Sequence, residues 1–143
     1  MADISKSVLL SHSAEKMYDL VNDVDSYKEF LPWCGGVDIL EKTDSLLDVR
    51  IHIHFKGIEQ YFHTRNLNTR PSLMDMTFVD GPFQHFHGHW KFTALQEDAC
   101  KVEFQLHYEF KNHLLEKIIG PVFETITGTF VESFVKRADE IYP

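Results

Sequence analysis

Residues 100–141 read CKVEFQLHYEFKNHLLEKIIGPVFETITGTFVESFVKRADEI, and their hydrophobic period changes once. In the first eleven, Cys100, Val102, Phe104, Leu106, Tyr108 and Phe110 alternate with Lys101, Glu103, Gln105, His107 and Glu109. That period of two describes a strand with one apolar face. From Leu114 to Ile141 the apolar residues instead recur at helical spacing: Leu115, Ile118, Ile119, Val122, Phe123, Ile126, Phe130, Val131, Phe134, Ala138 and Ile141. Glu124, Glu132, Lys136, Arg137 and Glu140 fall mostly off this stripe, so the segment is a long amphipathic helix. Gly120-Pro121 is expected to kink or restart it, leaving the preceding segment as a movable flap.

Working back from residue 100, the chain reads as consecutive strands to about Trp33. In DVRIHIHFK, Val49, Ile51, Ile53 and Phe55 alternate with Arg50, His52, His54 and Lys56. Lys56-Gly57, Arg70-Pro71-Ser72, Asp80-Gly81-Pro82 and Glu97-Asp98 supply turns at hairpin spacing. Gly57 and Gly88 are candidate points of bulging or curvature. Towards the N-terminus, Asp3 to Leu10 reads as another strand. Ser11 or Ser13 then caps a short helix from Ala14 to Val21, and Tyr27 to Leu31 forms a second helical turn ended by Pro32. A sheet with one apolar face needs a cover, and only the C-terminal segment is long enough to supply it. The expected fold is α+β. A curved antiparallel sheet of six or seven strands wraps a long C-terminal helix, with two short helices after the first strand.

A chain of 143 residues suits one domain, taken here as residues 1–143, and needs no disulfide to fold. Cys34 and Cys100 form no CxxC pair and read as free thiols. The formal charge of −8 argues against broad attachment to DNA or to anionic lipid. Nine histidines make that charge sensitive to a modest fall in pH. No run is expected to approach the length of a transmembrane helix, and the N-terminus lacks signal-peptide architecture. The expected location is the cytoplasm.

Several stretches carry a family resemblance: LVNDVDSYKEFLPWC (20–34), FHTRN (62–66), VDGPFQHFHGHWKF (79–92), CKVEFQLHYEFKN (100–112), GPVFE (120–124) and FVKRADEIY (134–142). Together they resemble the START-like (SRPBCC, helix-grip) superfamily. More narrowly, they resemble the bacterial coenzyme-Q-binding family that also carries the RatA ribosome-association toxin name. The resemblance implies a cavity between sheet and C-terminal helix, a polyprenyl quinone such as ubiquinone as ligand, and support of respiratory electron transport without catalysis, with peripheral contact at the inner membrane. The toxin name implies an alternative, binding of the large ribosomal subunit and a block of subunit association. A polyketide cyclase-like enzyme is a third reading. Beyond the bound isoprenoid the resemblance implies no cofactor.

The aromatic residues on expected inner faces are the ligand-site candidates: Trp33, Phe62, Thr64, Phe78, Phe86, Trp90, Phe104, Phe123, Phe130 and Phe134. Most of any such set packs the core, but an isoprenoid or a quinone ring needs a wall of this kind with a few polar groups to orient it. Thr64 and Gln60 share the Phe62 face and are the polar candidates, whereas Arg65 points away. Gly81-Pro82-Phe83 and Phe30-Leu31-Pro32-Trp33 are candidates for one apolar rim suited to membrane contact, with ordinary turn packing as the equal alternative.

Catalytic and metal motifs are not expected. No nucleophile elbow, HExxH, phosphate loop or dinucleotide fingerprint occurs, and Asp23 and Asp25 read as turn residues. His85, His87 and His89 share one strand face, as do His52 and His54. Neighbours at i, i+2 lie about 6.5–7 Å apart, too far to chelate without cross-strand partners. With Arg50, Lys56, Lys91 and Lys101 beside them, they read as a solvated outer face.

Overall fold

The structure, a computed structural model, describes residues 2–142. Strand β1 (Ala2–Leu10) is followed by helix α1 (Ala14–Asn22), a 3₁₀ turn (Val24–Ser26) and the four-residue helix α2 (Tyr27–Phe30). Strands β2 (Cys34–Lys42), β3 (Leu46–Phe55), β4 (Ile58–Thr69), β5 (Leu73–Asp80), β6 (Phe83–Gln96) and β7 (Ala99–Phe110) lead into helix α3 (His113–Ile141). The strands form one antiparallel sheet in the order β1-β7-β6-β5-β4-β3-β2. β2 to β7 are a meander, and β1 closes beside β7 at the opposite edge from β2. Register shifts at Cys34/Gly36, Ile39/Glu41, His63/Thr64, Phe83/His85 and Ala94/Gln96 bend the strands, giving the sheet its curvature.

The expected architecture stands: seven strands, two short helices after the first, and one long helix at the end. The alternation of β3 and β7 is reproduced residue by residue in their burial. Ser13 caps α1, its hydroxyl accepting from the Lys16 N–H at 3.1 Å. The Asn112 side chain caps α3 by accepting from the Leu115 N–H at 2.9 Å.

Four expectations need correction. First, α3 runs unbroken through Gly120-Pro121, so no separate flap precedes the proline. Pro121 lies on the exposed side, and the backbone accommodates its missing N–H without ending the helix. Second, Ile118 and Ile141 are 49% and 41% exposed, off the buried stripe. Third, neither glycine marks a bulge. Lys56 (φ 50°) and Gly57 (φ 80°) form the two-residue β3–β4 hairpin turn, whose left-handed backbone matches strand twist. A Cβ at Gly88 would sit 2.8 Å from the Gln105 carbonyl oxygen, so glycine there permits close backbone approach. Fourth, α3 as a whole is long and apolar enough to cross a membrane by length and composition, although here it is the gripped helix of the core.

Candidate functional site

The concave face of the sheet and α3 enclose two groups of aromatic rings. Around the N-terminal half of α3, Phe83 meets Phe110 at 5.0 Å and Phe123 at 5.0 Å, and Tyr108 meets Phe123 at 4.8 Å. Phe62, Phe78 and Phe86 complete this group. Around the C-terminal half, Trp90 meets Phe104 at 4.7 Å and Phe134 at 5.4 Å, with Trp33, Phe130, Tyr27 and Phe30 beside them. Among the described residues no ring pair bridges the two groups, and a cavity lies at their seam.

The cavity measures about 50 Å³. Its wall combines Phe62, Phe86 and Phe123 from the first group with Trp33, Trp90, Phe104, Phe130 and Tyr27 from the second. Val21, Val24, Leu47, Ile51, Met74, Met76, Leu106 and Ile126 fill the gaps. The space suits only a few water-sized spheres, so any larger occupant has to displace α3 or repack the two methionines. The backbone of α3 runs alongside β7, β1 and α1.

Seven of the ten candidates line this cavity: Trp33, Phe62, Phe86, Trp90, Phe104, Phe123 and Phe130. Three do not. Thr64 is buried beyond the wall, Phe78 packs against Phe83 and Phe86, and Phe134 is enclosed by Tyr27, Phe30, Phe130 and Trp90. Gln60 is also outside the wall, and Arg65 faces outward to Asp48 at 3.0 Å. The expected common apolar rim is absent. Phe83 packs at the N-terminal half of α3 and Trp33 against Phe130, seven residues along the helix from Phe123. Leu31, Trp33, Pro82 and Phe83 are buried, and Pro32 is the exposed residue of these turns.

Sequence reading missed Asn66. It lies on the inward face of β4, is 8% exposed, and belongs to the cavity wall. Its Oδ1 is buried without a hydrogen-bond partner, a state that costs about 1–3 kcal/mol. Its inward parity with Phe62 and Thr64 was the available signal. The other polar wall groups are satisfied: the Tyr27 hydroxyl donates to the Val21 carbonyl, and the Thr127 hydroxyl donates to the Phe123 carbonyl at 3.0 Å.

Burial, with the nearby Cys34 and Asp23 charges, pushes the Tyr27 phenol far above its ordinary value. Tyr27 therefore contributes stability that is complete below pH about 10 and is lost as pH rises further, by about 1.4 kcal/mol per unit. Tyr27→Phe is expected to cost about 1 kcal/mol at neutral pH and to flatten part of that alkaline decline. Denaturation midpoints between pH 7 and 11 check both.

Eight of the nine histidines stand beside carboxylates rather than clustering with one another, and His89 is the exception. His52 meets Asp38 at 2.7 Å and His87 meets Asp75 at 3.0 Å, while His63 and His107 contact Asp48 and Asp3. His54, His85 and His113 lie within 4 Å of glutamates, and His12 meets Asp139 at 2.8 Å at the end of α3. Among the described residues, no group of three or more His, Cys, Asp or Glu side chains is placed to hold a metal.

A curved antiparallel sheet gripping a long C-terminal helix around an apolar cavity defines a START-like, helix-grip protein. The family described as "Polyketide cyclase / dehydrase and lipid transport" matches residues 10–135, and the chain belongs to that family. The persistence and stress-resistance toxin PasT of Escherichia coli O6:H1 is 45% identical over 142 residues, 99% of this chain and 90% of that protein. The ribosome association toxin RatA of Escherichia coli K12 is 44% identical with the same coverage. The mitochondrial coenzyme Q-binding protein COQ10 homolog B of Xenopus laevis is 27% identical over 98% of this chain and 59% of that protein. Among solved structures, the Zhui aromatase/cyclase of Streptomyces sp. R1128 superposes with a TM-score of 0.80 at 15% identity, covering 99% and 96% of the two chains. A START superfamily protein of Mycobacterium smegmatis gives 0.76 at 19%, covering 97% and 98%. At these identities the structures show a shared fold.

Proposed function

We propose that this protein binds a ring-bearing apolar molecule of the polyprenyl quinone class between sheet and α3, without chemical turnover, in support of respiratory electron transport. The observation that carries this reading is the aromatic-walled cavity, whose lining among the described residues holds no carboxylate, imidazole, amine or thiol; its one titratable group, the Tyr27 phenol, is committed to the Val21 carbonyl, and its one unsatisfied polar group is Asn66. General acid–base or nucleophilic work needs a titratable group within hydrogen-bond reach of the substrate. The coenzyme Q-binding name of the Xenopus relative agrees with this ligand class. In this reading the protein works in the cytoplasm and meets the inner membrane transiently to exchange its ligand.

Both tryptophans of the chain, Trp33 and Trp90, line the cavity, which supplies the assay. Purified protein extracted with organic solvent is expected to release an isoprenoid quinone. Added short-chain ubiquinone is expected to quench tryptophan emission and raise the melting temperature. Recovery of no isoprenoid, with neither quenching nor stabilisation, would sink the proposal.

A second reading is favoured by relatives of 44–45% identity that carry toxin names, one of them for ribosome association. In it, the exterior docks on the large ribosomal subunit and hinders subunit joining. The net charge of −8 opposes attraction to ribosomal RNA. Overexpression should then shift sucrose-gradient profiles from whole ribosomes to subunits, and an unchanged ratio removes this reading.

A further inference from the structure

Asn66 stands on β4 opposite Leu47 of β3 and Met76 of β5, and both neighbours also line the cavity. An amide is a poor choice for an inward strand position, and its Oδ1 is buried with no partner. A leucine, with the same branching of heavy atoms but no polar group, would remove that penalty and extend its bulkier methyls toward the void. Within the folded chain Oδ1 finds no donor, whereas an occupant bearing a ring hydroxyl would supply one.

We infer that Asn66 is the anchor for an oxygen on the ring of the bound molecule, so that the site selects an oxygenated ring over a hydrocarbon of the same outline. This rests on the ligand-binding reading above and adds the residue that sets its specificity. The amide presents a donor, Nδ2, and an acceptor, Oδ1. Nδ2 suits the carbonyl of an oxidised ring and Oδ1 the hydroxyl of a reduced one, so one side chain serves both redox forms. A site that hydrogen-bonds its ligand discriminates strongly, because the analogue without the oxygen leaves the buried amide unpaired.

The test compares wild type, Asn66→Leu and Asn66→Thr as full chains. The probes are a ubiquinone with one isoprene unit and prenylbenzene, each titrated by tryptophan quenching and calorimetry. The ligand-free Asn66→Leu protein is expected to melt at or above the wild-type temperature. Its quinone affinity should fall about tenfold or more while prenylbenzene binding holds or improves. Asn66→Thr, which keeps a hydroxyl in a strand-favouring side chain, should retain more of the quinone affinity. The inference is overturned by a ligand-free Asn66→Leu protein that melts lower and loses both probes equally, which marks a structural role. It is also overturned by quinone affinity unchanged in Asn66→Leu, or by equal quinone loss in both variants. Wild type that binds neither probe removes the ligand-binding reading itself, and the anchor with it. Wild-type binding matched by Asn66→Leu removes the anchor alone.

Discussion

Trp90→Ala is expected to lower stability by about 3–5 kcal/mol, the range for deleting a large buried aromatic side chain. Trp90 is almost fully buried and is the hub of its aromatic group, meeting Phe104 at 4.7 Å, Phe134 at 5.4 Å, Phe130 at 5.5 Å and Phe92 at 6.1 Å. Such ring pairs contribute about 0.5–1.5 kcal/mol each beyond area burial. One of these rings lies on the neighbouring strand β7, one on β6 itself and two on α3, so the loss loosens the grip of the sheet on its helix. For a domain with about 5–15 kcal/mol in hand, the variant is marginal. Urea denaturation is the measurement. A cost under about 1.5 kcal/mol would mean that the helix is held chiefly by something other than this ring group.

Ile51→Phe is expected to cost little stability and most of the ligand affinity. Ile51 lies on β3 and forms part of the cavity wall. The substitution directs three further carbons into a void of about 50 Å³, which can take them with limited strain. A phenyl ring also suits a strand. The same carbons occupy the space a ligand ring would need. Excluding that ring forfeits about 3 kcal/mol or more of apolar transfer, so affinity should fall by roughly 100-fold or more. Stability by denaturation and affinity by tryptophan quenching give the two halves of the result. Retained affinity would place the ligand elsewhere. The same variant separates the two functional readings, since docking of the exterior on a ribosomal subunit is indifferent to a filled interior.

The site differs from its sequence-level outline in ways that have a common physical origin. Phe130 and Phe134 are one helical turn apart on the same stripe of α3, and nothing local distinguishes them. Phe130 borders the void beside Trp33, Trp90 and Phe104. Phe134 does not, because Phe30 and Tyr27 fill the space against it. Thr64 and Asn66 likewise share a face of β4 two residues apart, and only Asn66 reaches the wall. The apolar turns around Pro82 and Trp33 look alike as exposed rims, yet they plug opposite halves of the core.

What the chain determined by itself was every property that depends on neighbours in sequence. Strand and helix periods set which residues face inward, turn residues set where strands reverse, and the length of the final amphipathic segment made it the only cover for the sheet. These follow from backbone geometry, which repeats every two or 3.6 residues regardless of context. The tertiary structure alone decided where inward-facing atoms fail to meet. A cavity is a mismatch between surfaces contributed by α1, α2, α3 and five strands, and no single segment encodes it. The same mismatch leaves the Asn66 Oδ1 without a partner, while α3 passes Pro121 unbroken on its exposed side, held along its length by rings from the sheet.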